Sequence, residues 1–212
     1  MRLVIFGPQG AGKGTQGVRV SDKFGIPAIS TGDIFRWAIK ACSELGDAVQ
    51  QYVDSGQLVP DDLTIEVVSR RLGEDDCRMG FLLDGFPRNI GQAGALDGFL
   101  AGHDTQLDGA IILEVPEDIS LRRLLGRRSC SNCGRNYHLD APPSSDWTCD
   151  TCGGRVVERV DDHDEATIRS RLAIYHEQTE PLKIYYEKRG LLRSIDGLGS
   201  PDEVFDRLVA AL

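Results

Sequence analysis

The chain has 212 residues, 41% hydrophobic and 27% charged, enough apolar material for a globular core and too much for wholesale disorder, with room for about one domain and an appendage. Asp and Glu total 33 against 24 Lys and Arg, a formal charge of −9, which opposes non-specific attraction to nucleic acid or an anionic membrane and requires any anion site to be local. No apolar run approaches the roughly 20 residues that span a bilayer, and Gly7 interrupts the N-terminal apolar run too early for a secretory leader. The cytoplasm is the expected compartment.

In chain order, apolar runs at 2–6, 81–83, 110–115 and 191–195 read as strands, with 26–30 a further candidate. Helical patterns follow Gly12, cover about 33–40, 44–54 and 62–72, and return after Asn89, Pro116, Asp164 and Pro201. Short β-rich runs alternating with helices predict parallel strands joined by crossover helices, hence a doubly wound α/β sheet. One stretch, 129–159, breaks the alternation. It carries paired cysteines, Pro142, Pro143, Gly153 and Gly154 with no sustained helical period, and reads as a small inserted lobe.

Residues Gly7-Pro8-Gln9-Gly10-Ala11-Gly12-Lys13-Gly14-Thr15 stand between a predicted strand and a predicted helix, the context of a phosphate-binding loop. Glycines let backbone amides turn inward, the helix N-terminus adds partial positive charge, and Lys13 adds a full one. A glycine turn with an ordinary surface lysine is the bland alternative, which the strand–loop–helix context disfavours. Gly14 separates Lys13 from Thr15, a departure from the general Walker pattern. Thr15 also stands where a dinucleotide-binding fingerprint would need glycine.

Further along come Ser30-Thr31-Gly32-Asp33 and Arg36, then Phe81-Leu82-Leu83-Asp84-Gly85-Phe86-Pro87-Arg88 and Gln92. Asp84 ends a predicted parallel strand, the edge where ligands bind in doubly wound folds, and could orient magnesium-bound water there; a strand-ending turn carboxylate is the less favoured alternative. Arg88 and Arg36 offer forked donors for a phosphate. Gln92 presents one donor and one acceptor, as the adenine edge requires, although a lone helix glutamine is more often exposed. Asp33 reads either as a holder of magnesium's water shell or as the N-cap of the next helix. Arg123 and Arg127 lie four apart on one helix face, either aimed at phosphate or forming a solvated basic stripe. Arg169 reads as a surface residue paired with Glu165.

Cys130 and Cys133, then Cys149 and Cys152, form two C-x2-C pairs separated by 15 residues. Four thiolates without histidine point to a closed structural zinc site. Iron suits the same sulfur set, and disulfides are disfavoured in a reducing compartment. Zinc would supply folding energy that so small a lobe lacks. Cys42 and Cys77 read as packing residues, and His138 and His163 as surface residues rather than ligands.

The GKGT loop, the segment 30–36, and the segment 81–88 with Gln92 occur in the order found in adenylate kinases, and the chain resembles that family over almost its full length. The resemblance implies a P-loop core (1–29, 60–125 and 164–212), a monophosphate-binding lobe (30–59) and a zinc-binding lid (126–163). It implies transfer of the γ-phosphoryl group from MgATP to AMP, giving two ADP, with lid closure excluding water, in a monomer with no nucleic-acid or membrane partner. ATP is then expected on Gly10, Ala11, Gly12, Lys13, Gly14, Thr15, Arg123, Arg127, Asn136, Tyr137 and Gly199. AMP is expected on Thr31, Arg36, Gln57, Leu58, Val59, Gly85, Phe86, Pro87, Arg88, Gln92, Arg159 and Arg171. The catalytic set is Lys13, Asp84, Arg88, Arg123, Arg159 and Arg171, and Thr31 favours AMP over pyrimidine monophosphates. Arg159 and Arg171 stand 12 residues apart, one more than the family spacing, which places an insertion within 160–163. The alternatives are a UMP or CMP kinase, an ATP-dependent nucleic-acid-binding zinc protein, and a zinc scaffold without catalysis.

Overall fold

The computed structural model describes residues 1–159, 162 and 164–212. Of the insertion expected within 160–163, Asp162 is thus described, whereas the reading of His163 lies outside the described residues.

Among the described residues, strands β1 (Arg2–Phe6), β2 (Ala28–Ser30), β3 (Phe81–Asp84), β4 (Gly109–Glu114) and β8 (Leu192–Asp196) form one parallel sheet in the order β2-β3-β1-β4-β8. In the central strands β1, β3 and β4, alternation buries both faces, whereas the edge strands β2 and β8 are partly exposed. Leu3, Ile5, Leu82, Ile111 and Leu113 pack on one side with Val20, Val204 and Leu208. Val4, Phe6, Leu83, Ala110 and Ile112 pack on the other with Leu96, Leu100 and Tyr186. Burial on two faces explains why the strands read as unbroken apolar runs rather than as alternating patterns, each full side chain contributing about 1.5–3 kcal/mol.

Helices α1 (Lys13–Phe24), α4 (Asp61–Leu72), α5 (Ile90–Ala101), α6 (Glu117–Leu125) and α7 (Glu165–Ile174) begin within a residue or so of their sequence signals. Helix α9 (Pro201–Ala210) starts on Pro201 itself: Ser200 is its N-cap and forms a capping box with Glu203. Helix α2 (Thr31–Lys40) starts earlier than expected, because the Ser30 hydroxyl accepts the Asp33 N–H at 3.2 Å. Asp33 is therefore not the N-cap. It sits in the first turn, with its carboxylate 2.5 Å from Arg36. Helix α3 (Glu44–Asp54) packs on α2 around Phe35, Val49 and Val59, a core separate from that of the sheet.

Three regions went unread. The inserted lobe contains strands β5 (Arg127–Cys130), β6 (Asn136–His138) and β7 (Val156–Glu158) in an antiparallel sheet ordered β6-β5-β7; segments of three or four residues are too short to show a period. A π-helical turn, Tyr175–Thr179, follows α7, and helix α8 (Leu182–Glu187) starts just past Pro181. There proline serves as a helix start rather than as a stop.

Cys77 is buried in the main core, as expected, but Cys42 is exposed, at φ 48 just past α2, and is not a core packing residue. His138 is not simply on the surface either: it is half-buried, and its Nδ1 accepts the Asp140 N–H at 3.1 Å. Arg169 is exposed and pairs with Glu165 at 2.7 Å, as its i,i+4 spacing suggests. Among the described residues no helix is long and apolar enough to cross a membrane.

Candidate active site

A parallel sheet brings the C-terminal ends of its strands to one edge. The loops after β1, β3 and β8 line a cleft of about 890 Å³ there, closed from the other sides by α2, α6, the small sheet and α7. A smaller pocket of about 70 Å³ adjoins it between α2, α4 and α5. Arg36, Gly85, Arg88 and Arg171 border both cavities.

The loop after β1 wraps the head of α1. Gly10 is left-handed, at φ 80, and a Cβ on it would lie 2.8 Å from the Ser120 carbonyl oxygen, so no larger residue fits there. Gly12, at φ 100, is the N-cap and brings no side chain to the helix end, which leaves that end to an anion. The Lys13 ammonium folds back over the loop and donates to the carbonyls of Gly7 and Pro8, each at 2.8 Å. Although it opens on the cleft, it is ringed by protein, and this desolvation lowers its pKa from 10.5 to about 8, with Asp84 opposing the shift and Arg88, Arg127 and Arg171 adding to it. Burial raises the pKa of Asp84, against the pull of Lys13. A Cβ on Gly14 would lie 3.7 Å from Asp84 Oδ2, so the extra glycine of the loop keeps that carboxylate uncovered.

On the facing side, Gly85 takes φ 82. Its carbonyl accepts from Thr31 Oγ1 at 3.0 Å and from Arg88 Nε at 2.8 Å. Gln92 is not an exposed helix residue: it is 1% exposed. Its Oε1 accepts the Arg88 backbone N–H at 2.8 Å, and its Nε2 donates to Asp61 Oδ1 at 2.6 Å. Phe86 is buried in the main core and lines neither cavity. The other site residues named from the sequence, the four cysteines apart, border one cavity or both.

The arginines form no solvated stripe. Arg123 donates to the carbonyls of Gly10 (3.4 Å) and Gly197 (3.2 Å), joining the loops after β1 and β8. Arg127 and Arg171 each bond the Asp162 carboxylate at 2.6 Å, and Arg159 lies 3.8 Å from it. The Asp162 side chain is 1% exposed. Three guanidinium groups thus gather around one buried carboxylate at the border of the cleft. Sequence reasoning missed Asp162 as a participant, and missed Asp61. The signal was indirect: cations gathered at one partly dry site need a counter-charge.

The four cysteine sulfurs lie within 4.8 Å of one another, with Cys130–Cys152 at 3.5 Å and Cys133–Cys149 at 3.6 Å. A tetrahedral ion with arms of about 2.3 Å places its sulfurs roughly 3.8 Å apart, so the cluster fits a metal. All four are free thiols rather than disulfides. Backbone amides of Asn132 and Cys133 point at the Cys130 sulfur, as in a metal-binding knuckle. Tyr137, expected at ATP, borders the cleft while its hydroxyl donates to the Cys149 sulfur at 3.4 Å, so it belongs to both sites.

A model of the adenylate kinase family matches residues 5–191. The chain belongs to the adenylate kinase family. It is 50% identical to an adenylate kinase of Thermodesulfovibrio yellowstonii over 213 residues, covering 100% of this chain and 99% of that one. It is 49% identical to one of Syntrophobacter fumaroxidans over 213 residues, covering 100% of both, and 48% identical to one of Clostridium tetani over 209 residues, covering 98% and 96%. The chain is thus a phosphotransferase with adenylate kinase activity, and the family membership disfavours both a pyrimidine monophosphate kinase and a nucleic-acid-binding module. Its fold is that of a P-loop adenylate kinase.

A phosphate beside Lys13 raises the pKa of that lysine above the value of about 8 it has in the nucleotide-free site. Between that value and the higher one the complex holds more protons than the free protein. Binding of an ATP whose phosphates lie beside Lys13 is therefore expected to take up a proton above about pH 8 and to weaken as the pH rises through that value. Calorimetry in buffers of different ionisation enthalpy measures the uptake; a buffer-independent enthalpy in that range would contradict it.

Proposed function

We propose that MgATP occupies the large cleft and AMP the adjoining pocket, so that the γ-phosphoryl group passes in line from one to the other and yields two ADP. The observation that carries this reading is the shared border: Arg36, Arg88 and Arg171 belong to both cavities, with Lys13 at the head of one and Gln92 at the end of the other. In this reading residues 1–29, 60–125 and 164–212 form the core, 30–59 the monophosphate lobe and 126–163 the lid.

The ATP phosphates lie on the amides of residues 10–15 and on Lys13, with Arg123 and Arg127 above them and Asn136, Tyr137 and Gly199 around the nucleoside. Thr31, Arg36, residues 57–59 and Gly85 to Gln92 hold AMP; Phe86 acts there through its backbone, since its ring is buried in the core. Arg88, Arg159 and Arg171 neutralise charge spread over the transferring group. A loose phosphoryl transition state asks for positioning and charge, not for a protein nucleophile. Asp84 accepts hydrogen bonds from the water shell of the ATP-bound magnesium ion. Lid closure shields the transfer from water. Zinc on Cys130, Cys133, Cys149 and Cys152 supplies folding energy to a lobe whose own core is Cys130, Cys149 and Val156 with Tyr137 and Trp147. The working unit is a monomer of the cytoplasm without a nucleic-acid partner.

Phosphoryl transfer from ATP to AMP, CMP, UMP and GMP, assayed in parallel, tests the substrate assignment. Lys13→Met and Arg88→Ala are each expected to lower turnover with AMP about 100-fold or more while the melting temperature stays near wild type. Near-normal turnover in either variant removes that residue from the scheme. Metal analysis is expected to find one zinc per chain, and its removal by a chelator to lower the melting temperature; an unchanged melt after complete removal would refute a structural role.

A further inference from the structure

The amide of Gln92 can face its surroundings in two ways, related by a half-turn that exchanges oxygen and nitrogen. Its neighbours permit one. The Arg88 backbone N–H, 2.8 Å away, can only donate, so the atom facing it must be Oε1. The Asp61 carboxylate, 2.6 Å away, accepts, so the atom facing it must be Nε2. A half-turn would set donor against donor at Arg88 and oxygen against carboxylate at Asp61, in a site where Gln92 is 1% exposed and water offers little relief. Asp61 is itself held, since Asn89 Nδ2 donates to both its oxygens at 3.1 and 3.0 Å. Asn89 in turn is the N-cap of α5 and accepts the Gln92 N–H at 2.9 Å.

Each end of the amide keeps one hydrogen-bonding position in reserve: a second lone pair on Oε1 and a second hydrogen on Nε2. We propose that Asp61 is a specificity-determining positioning residue, which, with the Arg88 backbone N–H at the other end, locks the Gln92 amide in the one orientation that accepts from a 6-amino group and donates to the neighbouring ring nitrogen. This rests on the reading of Gln92 as the residue facing the acceptor base. Adenine presents that pair along its N1–N6 edge. A 6-oxopurine presents the reverse, a carbonyl oxygen and a ring N–H. An amide free to turn would serve both bases, whereas a locked one meets the 6-oxopurine with acceptor against acceptor and donor against donor. Part of the selection against inosine monophosphate, which differs from AMP at this edge alone, thus comes from a carboxylate that does not face the base, the rest of the lock being the Arg88 backbone N–H.

The test compares kcat/KM for AMP and inosine monophosphate, with MgATP as donor, in the wild type, Asp61→Asn, Asp61→Ser and Gln92→Ala. Asparagine can turn either an oxygen or an amino group to Gln92, and serine likewise lacks the fixed charge. Both Asp61 variants are expected to raise the inosine-to-adenosine ratio about tenfold, with KM for ATP near wild type. A purely structural loss would lower use of both acceptors together and leave the ratio alone. Gln92→Ala is expected to remove most of the discrimination by losing AMP. If it alters the ratio while both Asp61 variants keep the wild-type value, the lock is wrong and the reading of Gln92 stands. If Gln92→Ala leaves the ratio unchanged, that reading fails and the lock falls with it.

Discussion

The structure turns on one electrostatic problem: positive charge must be concentrated at the end of a buried sheet without pulling the fold apart. Lys13 and Arg88, Arg123, Arg127, Arg159 and Arg171 line one cleft. Such a group would repel itself and lose hydration at a cost of several kcal/mol per charge if nothing answered it. Among the described residues, Asp84 beside Lys13 and Asp162 among the arginines answer part of it. Backbone carbonyls share the task, those of Gly7 and Pro8 for Lys13, Gly85 for Arg88, and Gly10 and Gly197 for Arg123. A cleft lined by these cations suits a polyanion.

Parallel topology makes this arrangement possible. Because β1, β3, β4 and β8 run the same way, their trailing loops share one edge, and the phosphate loop, the segment 84–88 and the turn at Gly197 become neighbours despite their separation in the chain. The smaller pocket is tied to the same edge. Arg88 donates through its backbone to Gln92 and through Nε to Gly85, while its carbonyl accepts from Thr179 in the π-helical turn. Arg88, Gln92 and the π-helical turn after α7 thus form one hydrogen-bonded unit.

Much of this was legible in advance, for reasons that differ by element. The central strands β1, β3 and β4 showed as apolar runs because burial on both faces demands it. The phosphate loop and the two cysteine pairs showed because their geometry is local, a few residues turning about one anion or one ion. Asp33 was half-read: its place near a helix start was visible, but Ser30 took the cap, leaving Asp33 to pair with Arg36. Gln92 and the arginines at 123 and 127, each weighed by itself, were as consistent with solvent as with a site.

By itself, the sequence determined the alternation of strands and helices, the cradle at the head of α1 and the tetrad of sulfurs, all properties of neighbouring residues and of periodic burial. Tertiary structure alone decided which cations face an internal carboxylate, that Asp61 reaches across 31 positions to Gln92, and that Phe86 turns inward while Cys42 turns out. Those outcomes depend on partners brought together by crossover connections, and charge and hydrogen bonding act through space, where distance along the chain carries no information.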